Sequence, residues 1–447
     1  MRPMPALLVT LLGACASHGP SVLALPPPSP ARAASAEVLF DLAATCPRIS
    51  IDRGRRQFLA AVTDRPEELG IASATPSALV VGRRAAQGAA LAWHHDLGPD
   101  TTSFELSEGR LGEGVAIAGA ARAPIPFVGT AADTRWKGLF VLSFAPDGAL
   151  RFSRWIEAGS ALTSSEEPRV TAVVTGQRSE VTLAGTTHEP LNFGGVTLRP
   201  GKEAYDNTVA FVVQYTSNGV PAFATSRPAK LGTSPRLVVR PDGGLVMGFE
   251  ARDGSSSLEA FEPTGPRGVG HRLPVTLEGT LAALTAAGPQ DVVAATQSRD
   301  KGGTPTELRI ARVGAGGQIV WSRTMHGELQ DGALAVTASG NTWFSGWFEG
   351  DPAGCVSVPL EADHESVLPT LQLIDASGAR CRSLPASTRA ARWSTPASLL
   401  ETAPGRMTFA APLAGTATLP GIRAQATPLA PRCVAVTLPT EAPEYRP

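Results

Sequence analysis

The sequence predicts an all-β fold, and three observations lead there. Short segments that alternate apolar with small or polar residues recur along most of the chain, the period of two that belongs to strands. Turn signals punctuate them: Pro-Asp-Gly at 146–148, Ser-Asn-Gly at 217–219, Ala-Gly-Gly at 315–317 and Ala-Ser-Gly at 376–378. Such turns supply the positive φ that tight hairpins require. The segments also group by fours, in units of roughly 47–66 residues seen about seven times, the signature of a β-propeller blade. The expected architecture is therefore a seven-bladed β-propeller of four-stranded antiparallel blades. Two packed β-sandwiches are the competing arrangement.

Within each unit one series of strands reads QFLAAVTD (57–64), GVAIAGAA (114–121), EVTLAGTT (180–187), GLVMGFEA (244–251), DVVAATQS (291–298), NTWFSGWF (341–348) and RMTFAAPL (406–413). A second strand follows each after a variable loop: SALVVGRR (77–84), GLFVLSFAPDG (138–148), TVAFVVQYTSNG (208–219), SSLEAFEPTG (256–265), TELRIARVGAGG (306–317), TLQLIDASG (370–378) and RCVAVTLP (432–439). A further strand often carries Trp, as in ALAWHHDL (90–97), RFSRWIEA (151–158) and QIVWSRTM (318–325), and one precedes each unit, as in RVTAVVTG, PRLVVRPDGG and ALAVTASG. The longer units hold insertions between their second and third strands.

The last unit (397–439) lacks a fourth strand, while EVLFDLA (37–43) precedes the first complete one. A sheet edge left open invites pairing, so the N-terminal strand is expected at the outer edge of the last blade. That would bring Cys46 near Cys433, a link closing nearly the whole chain. Cys355 and Cys381 would pair inside blade 6.

The beginning of the chain has a separate logic. Arg2 precedes the apolar run Ala6–Leu12, too short to span a bilayer, which needs about 20 apolar residues. The run ends in Leu12-Gly13-Ala14-Cys15, which resembles the bacterial lipobox, whose cysteine is acylated and becomes the mature N-terminus. The resemblance implies lipidation at Cys15 and anchoring in the cell envelope, and Ala16 after the cysteine favours the outer membrane. Residues 16–36 are rich in Pro, Ala and Ser and read as a tether. The expected organisation is thus 1–15 signal peptide, 16–36 tether and 37–447 propeller.

One unit carries a more specific pattern. Leu183-Ala184-Gly185-Thr186, Leu191-Asn192-Phe193-Gly194-Gly195-Val196-Thr197-Leu198, Asp206 through Tyr215 and Asn218-Gly219 resemble a bacterial propeller repeat often abbreviated SBBP. This repeat is common in surface lipoproteins of myxobacteria-like organisms. Asn192 stands where Asp is commoner, and Pro126–Gly129 and Ala414–Gly421 are fainter echoes. The resemblance implies that Phe193-Gly194-Gly195 belongs to a loop hairpin of a blade.

Composition narrows the function. The formal net charge is −1 and there is no Lys/Arg-rich run, so nucleic acid is not an expected partner. With Cys15 lipidated, four cysteines remain, an even number suited to two disulfides in an oxidising compartment. No HExxH, G-x-S-x-G, Walker loop or calcium loop occurs, so no cofactor or metal is expected. His94-His95 would face one each way on their strand, and Glu166-Glu167 read as a solvated pair. Trp343 and Trp347 share one strand face and Phe344 and Phe348 the other, which suits core packing more than a stacking platform. Trp136, in a polar loop, is the one candidate contact residue. The expected function is a monomeric, membrane-anchored binding or scaffold protein that presents propeller loops to a protein or glycan. The alternative is a glycan hydrolase or lyase with acidic, His or Arg side chains converging on the channel.

Overall fold

The computed structural model divides into two units, residues 1–34 and 35–447. It describes residues 37–42, 47–71, 77–85, 90–107, 111–128, 137–158, 167–200, 208–261, 270–300, 305–326, 329, 334–347, 355–356, 369–384, 398–413, 415–419, 422–426 and 432–439. The described residues form a seven-bladed β-propeller, each blade built on four antiparallel strands, in the order of the chain in blades 1 to 6. Blade 1 comprises Arg48–Ile51, Gln57–Thr63, Ala78–Arg84 and Leu91–Asp96; blade 2 Thr101–Leu106, Val115–Ala121, Gly138–Phe144 and Leu150–Glu157. Blade 3 comprises Arg169–Thr175, Val181–Thr187, Val209–Tyr215 and Pro221–Pro228; blade 4 Arg236–Val239, Leu245–Glu250, Ser256–Phe261 and Gly270–Leu277. Blade 5 comprises Thr280–Ala286, Val292–Arg299, Pro305–Val313 and Ile319–Met325; blade 6 Leu334–Val336, Thr342–Trp347, Pro369–Ile374 and Cys381–Leu384. The first strand of every blade touches the first strand of the next, and blade 7 returns to blade 1, so these strands line the central channel.

Blade 7 closes the ring as the sequence predicts. Its strands Ser398–Ala403, Arg406–Leu413 and Arg432–Pro439 receive Glu37–Leu42 as the fourth, with Glu37 opposite Thr437 and Leu42 opposite Cys433. The strand that would otherwise be an open edge is therefore paired.

Antiparallel order fixes what lies at each end of the ring. Turns from strand 1 to 2 and from strand 3 to 4 share one end. Connections from strand 2 to 3, and from blade to blade, share the other. The first end has tight turns such as 145–149, 176–180, 216–220 and 240–244. The second carries the long connections 64–77, 122–137, 188–208, 348–368 and 414–431. Two of these hold small hairpins, Leu191–Asn192 with Thr197–Leu198 in blade 3 and Gly415–Leu419 with Ile422–Ala426 in blade 7. The Phe-Gly-Gly at 193–195 indeed lies in a loop hairpin. Gly194 and Gly195 both take positive φ, and Phe193 is fully buried in the core shared by blades 2 and 3.

Neighbouring blades are latched by a repeated contact. An aromatic residue on strand 4 lies over the positive-φ glycine of the next blade's strand 3–4 turn, and a donor two residues later bonds the same turn. In blade 1, Trp93 covers Gly148 and donates from Nε1 to Pro146 O at 2.9 Å, while His95 Nε2 meets Gly148 O at 2.7 Å. A carbonyl can only accept, so His95 carries a proton on Nε2. In blade 2, Phe152 covers Gly219 and Arg154 Nε donates to Gly219 O at 3.0 Å. In blade 5, Trp321 covers Gly378 and donates to Ala376 O at 3.2 Å, and Arg323 Nε donates to Gly378 O at 2.5 Å. Pro274 covers Gly317 in the same way between blades 4 and 5.

Cys381 and Cys433 each take part in a disulfide. A short strand, Cys355–Val356, runs parallel to Cys381–Leu384 with Cys355 opposite Cys381. Cys46 lies outside the described residues, shortly after Leu42, which pairs with Cys433. These placements support Cys355–Cys381 and Cys46–Cys433 as the proposed bridges. A non-reduced digest should yield both linked peptides, and a Cys46–Cys355 peptide would contradict the pairing.

The latch predicts a difference between two glycines of the same backbone conformation. Gly219 (φ +75) would place a Cβ 2.6 Å from the Phe152 ring, whereas a Cβ on Gly232 (φ +80) meets nothing within 4 Å. Gly232→Ala should cost only the left-handed strain, about 1–2 kcal/mol. Gly219→Ala should add an overpacking cost of about 1–3 kcal/mol. Urea midpoints of the two variants give the comparison, and equal losses would mean that the ring is not held over the turn.

Candidate functional site

The channel carries a charged cluster built from the innermost strands of three blades. Arg48 and Arg236 are the first residues of the innermost strands of blades 1 and 4. Arg48 pairs with Ala60 and Arg236 with Gly248, four residues before Asp52 and Arg240, which each begin the tight turn of their blade. The two arginines thus occupy corresponding levels. Glu105, on the innermost strand of blade 2, receives a hydrogen bond and ion pair from Arg48 Nη2 at 3.3 Å. Blades 2 and 4 are not neighbours, so the electrostatic influence of Arg236 on Glu105 acts across the channel.

Burial raises the Glu105 carboxyl above its ordinary value of 4.5, and the positive charges of Arg48 and Arg236 oppose that rise without cancelling it. Arg48 and Arg236 set two guanidiniums, groups suited to pairing with an oxyanion, within electrostatic reach of Glu105. The other carboxylate on a described innermost strand, Glu401 of blade 7, is committed elsewhere. It is buried and accepts N–H groups from Ala338 at 2.9 Å and Gly405 at 3.3 Å. Glycoside hydrolysis ordinarily uses two carboxylates flanking the bond that breaks. Glu105 and Glu401 are each occupied by structural partners.

The residues singled out in the sequence fall into three groups. Cys15, Trp136, Glu166 and Phe348 lie outside the described residues, as does Cys46. Trp343 and Phe344 are fully buried, as core packing requires. His94 is exposed and His95 is turned inward against Phe144, with ring centroids 4.8 Å apart, so the pair does face two ways and His95 belongs to the latch. Glu167 forms an ion pair with Lys137. Among the described residues, no group of three or more His, Cys, Asp or Glu side chains could hold a metal ion.

The innermost strands look dominated by Val, Ala, Leu, Thr and Ser, yet those of blades 1, 2 and 4 contribute Arg48, Glu105 and Arg236. RISI (48–51) is only four residues long and TTSFEL (101–106) is largely polar, so neither shows a clear alternating pattern. The usable signal was the turn: Asp52 and Arg240 each open a five-residue turn, and counting back four reaches both arginines.

No family model matches the sequence, and no curated protein matches it. Solved structures do resemble it at low identity. A protein of unknown function from Dyadobacter fermentans is 11% identical over 91% of this chain and 99% of its own, with a TM-score of 0.39. The β-propeller domain of the Trilobed protease from Pyrococcus furiosus is 9% identical over 86% of this chain and 96% of its own, with a TM-score of 0.44. The acylaminoacyl peptidase of Pyrococcus horikoshii is 12% identical over 87% of this chain and 52% of its own, with a TM-score of 0.43.

The raised carboxyl pKa has a definite sign. A group that holds its proton more tightly when folded contributes most stability below its unfolded value and loses it as pH rises through the folded one. Wild type should therefore gain stability relative to Glu105→Gln as pH is lowered from about 7 to about 4. Thermal midpoints across that range give the comparison, and a constant difference would contradict the burial of this carboxyl.

Proposed function

We propose that the chain is a lipid-anchored binding protein of the cell envelope, of the SBBP-like surface-lipoprotein type, that holds a protein or glycan partner at the long-loop end of the propeller. The observation that carries this reading is the asymmetry of the ring. The long connections, two with hairpins, share one end, and the tight turns share the other. Loops held on a rigid scaffold are where recognition concentrates. The channel adds Arg48, Glu105 and Arg236. Glu37 pairs with Thr437 near the end of a strand that finishes opposite Arg406, just after the 403–406 turn, so the chain joins the ring at the tight-turn end. Binding is favoured over glycan cleavage because Glu105 and Glu401 already have structural partners.

Two measurements test it. Cys15→Ser should move the protein from the membrane fraction to the soluble fraction, and continued membrane association would remove the anchor. The full-length protein mixed with purified envelope polysaccharide should retain the polymer at its original length. Progressive release of reducing ends would instead support the hydrolase or lyase alternative.

A further inference from the structure

We infer that the protein pairs with a second copy of itself, strand to strand, through the outer edge of blade 5. The outermost strand of a blade is hydrogen-bonded on one side only, so its other side offers unpaired N–H and C=O groups. Such an edge accepts another strand unless something blocks it. Among the described residues, every outer strand except that of blade 5 is blocked. In blade 1, Leu91–Asp96 ends on an acidic residue, and Phe127 from the blade 2 loop lies against His95, with ring centroids 4.9 Å apart. In blade 2, Leu150–Glu157 carries Arg151, Arg154 and Glu157 and packs against Leu191–Asn192 of the blade 3 hairpin. Pro221–Pro228 of blade 3 has proline at both ends, and Gly270–Leu277 of blade 4 has Pro274 inside it. Proline cannot donate to a ladder. Cys381–Leu384 of blade 6 is covered by Cys355–Val356, and Glu37–Leu42 on blade 7 carries Glu37 and Asp41.

The outer strand of blade 5, Ile319–Met325, reads IVWSRTM and has neither proline nor an acidic residue. Its one charge, Arg323, is turned to the next blade, where it donates to Gly378 O and Ala379 O. Ile319 is 40% exposed and Val320 53% exposed, two of the large apolar side chains that the ring leaves to solvent. Val320, Ser322 and Thr324 alternate along one face of the strand and are all exposed. That row is uncharged, and two of its three members are β-branched, the composition of a strand that adds another strand.

The occupant follows from the strand's own sequence. Two identical strands paired antiparallel about a two-fold axis keep each residue on its own face, so the axis must pass through a residue. Centring on Ser322 is the one choice that aligns the whole of Ile319–Met325. Ile319 then stands opposite Met325, Val320 opposite Thr324, and Trp321 opposite Arg323. Like charges directly opposite each other destabilise a sheet, and this register sets Arg323 against an aromatic residue of the other copy instead of against itself. Charge and length together therefore select a second copy of the chain. This dimer stands in place of the monomer expected from the sequence, and it depends neither on the lipid anchor nor on the ligand of the long-loop end.

The test uses the full-length chain carrying Cys15→Ser, so that no anchor holds copies together. Sedimentation equilibrium should give twice the chain mass at high concentration and fall toward the chain mass on dilution. Ser322→Lys sets like charges opposite each other at the two-fold axis and should leave a monomer with an unchanged circular dichroism spectrum. Residues directly opposite in an antiparallel pair have Cα atoms about 4.5–5.5 Å apart, within reach of a disulfide. Under mild oxidation Ser322→Cys should therefore give a covalent dimer, whereas His94→Cys, exposed on the outer strand of blade 1, should not. A parent protein that stays monomeric at every concentration, or a dimer that survives Ser322→Lys, would overturn the inference. So would Ser322→Cys that fails to cross-link, or His94→Cys that cross-links as fast. None of these results bears on membrane association or on ligand binding, so the proposed function stands or falls separately.

Discussion

Between blades 1 and 2, 2 and 3, and 5 and 6, the ring rests on the contact between an aromatic side chain and the bare turn of the next blade. A single four-stranded sheet has two faces, and in this chain both are apolar. Val181–Thr187 and Gly138–Phe144 are buried at every residue, as are Leu245–Glu250 and Ser256–Phe261. No blade can shield both of its faces by itself, so each depends on its neighbours. The latch sets the spacing. Glycine at positive φ lets the turn come within van der Waals reach of Trp93, Phe152 or Trp321, and the donor two residues later fixes its angle by bonding a turn carbonyl. One contact thus couples turn chemistry, blade packing and ring curvature.

The site inherits its geometry from that ring. Arg48 and Glu105 are 57 residues apart and meet only because blades 1 and 2 present their innermost strands at matching levels. Buried polar links reinforce the same boundary: the Asp52 carboxylate accepts Arg56 Nε at 2.7 Å and Gly114 N–H at 3.0 Å, and Ser50 donates to Ser107 O. Closure is the remaining requirement. Glu37–Leu42 supplies the outer strand of blade 7, tying the two ends of the propeller together within one sheet. Where a blade keeps its loop hairpin, the adjacent cleft is plugged. Where blade 4 lacks one, a cavity opens.

Much of this architecture was legible in the sequence, and the reason is physical. Strands such as RMTFAAPL and RCVAVTLP carry a strong apolar signal, and the structure places strands over the same residues, Arg406–Leu413 and Arg432–Pro439. The unmatched EVLFDLA pointed to closure because an unpaired edge is costly. The innermost strands were harder to read. RISI and TTSFEL are short or polar, and their chemistry depends on which blade each side chain faces, which periodicity along one strand does not encode. The latch was only half visible. Trp on the outer strand drew attention, but in blade 2 it is Phe152, not Trp155, that covers the glycine. Trp155 packs instead on Gly138 of its own blade. The shared feature is an aromatic residue followed two positions later by His or Arg, as in Trp93/His95, Phe152/Arg154 and Trp321/Arg323.

Native-state hydrogen exchange on the full-length chain tests the central claim most directly. If mutual latching and the N-terminal strand make the ring one cooperative body, the amides of Glu37–Leu42 and Arg432–Pro439 should open with the same free energy as those of the middle strands of blades 2 and 3. Rapid exchange confined to Glu37–Leu42, or blades that open at separate and unrelated free energies, would contradict it.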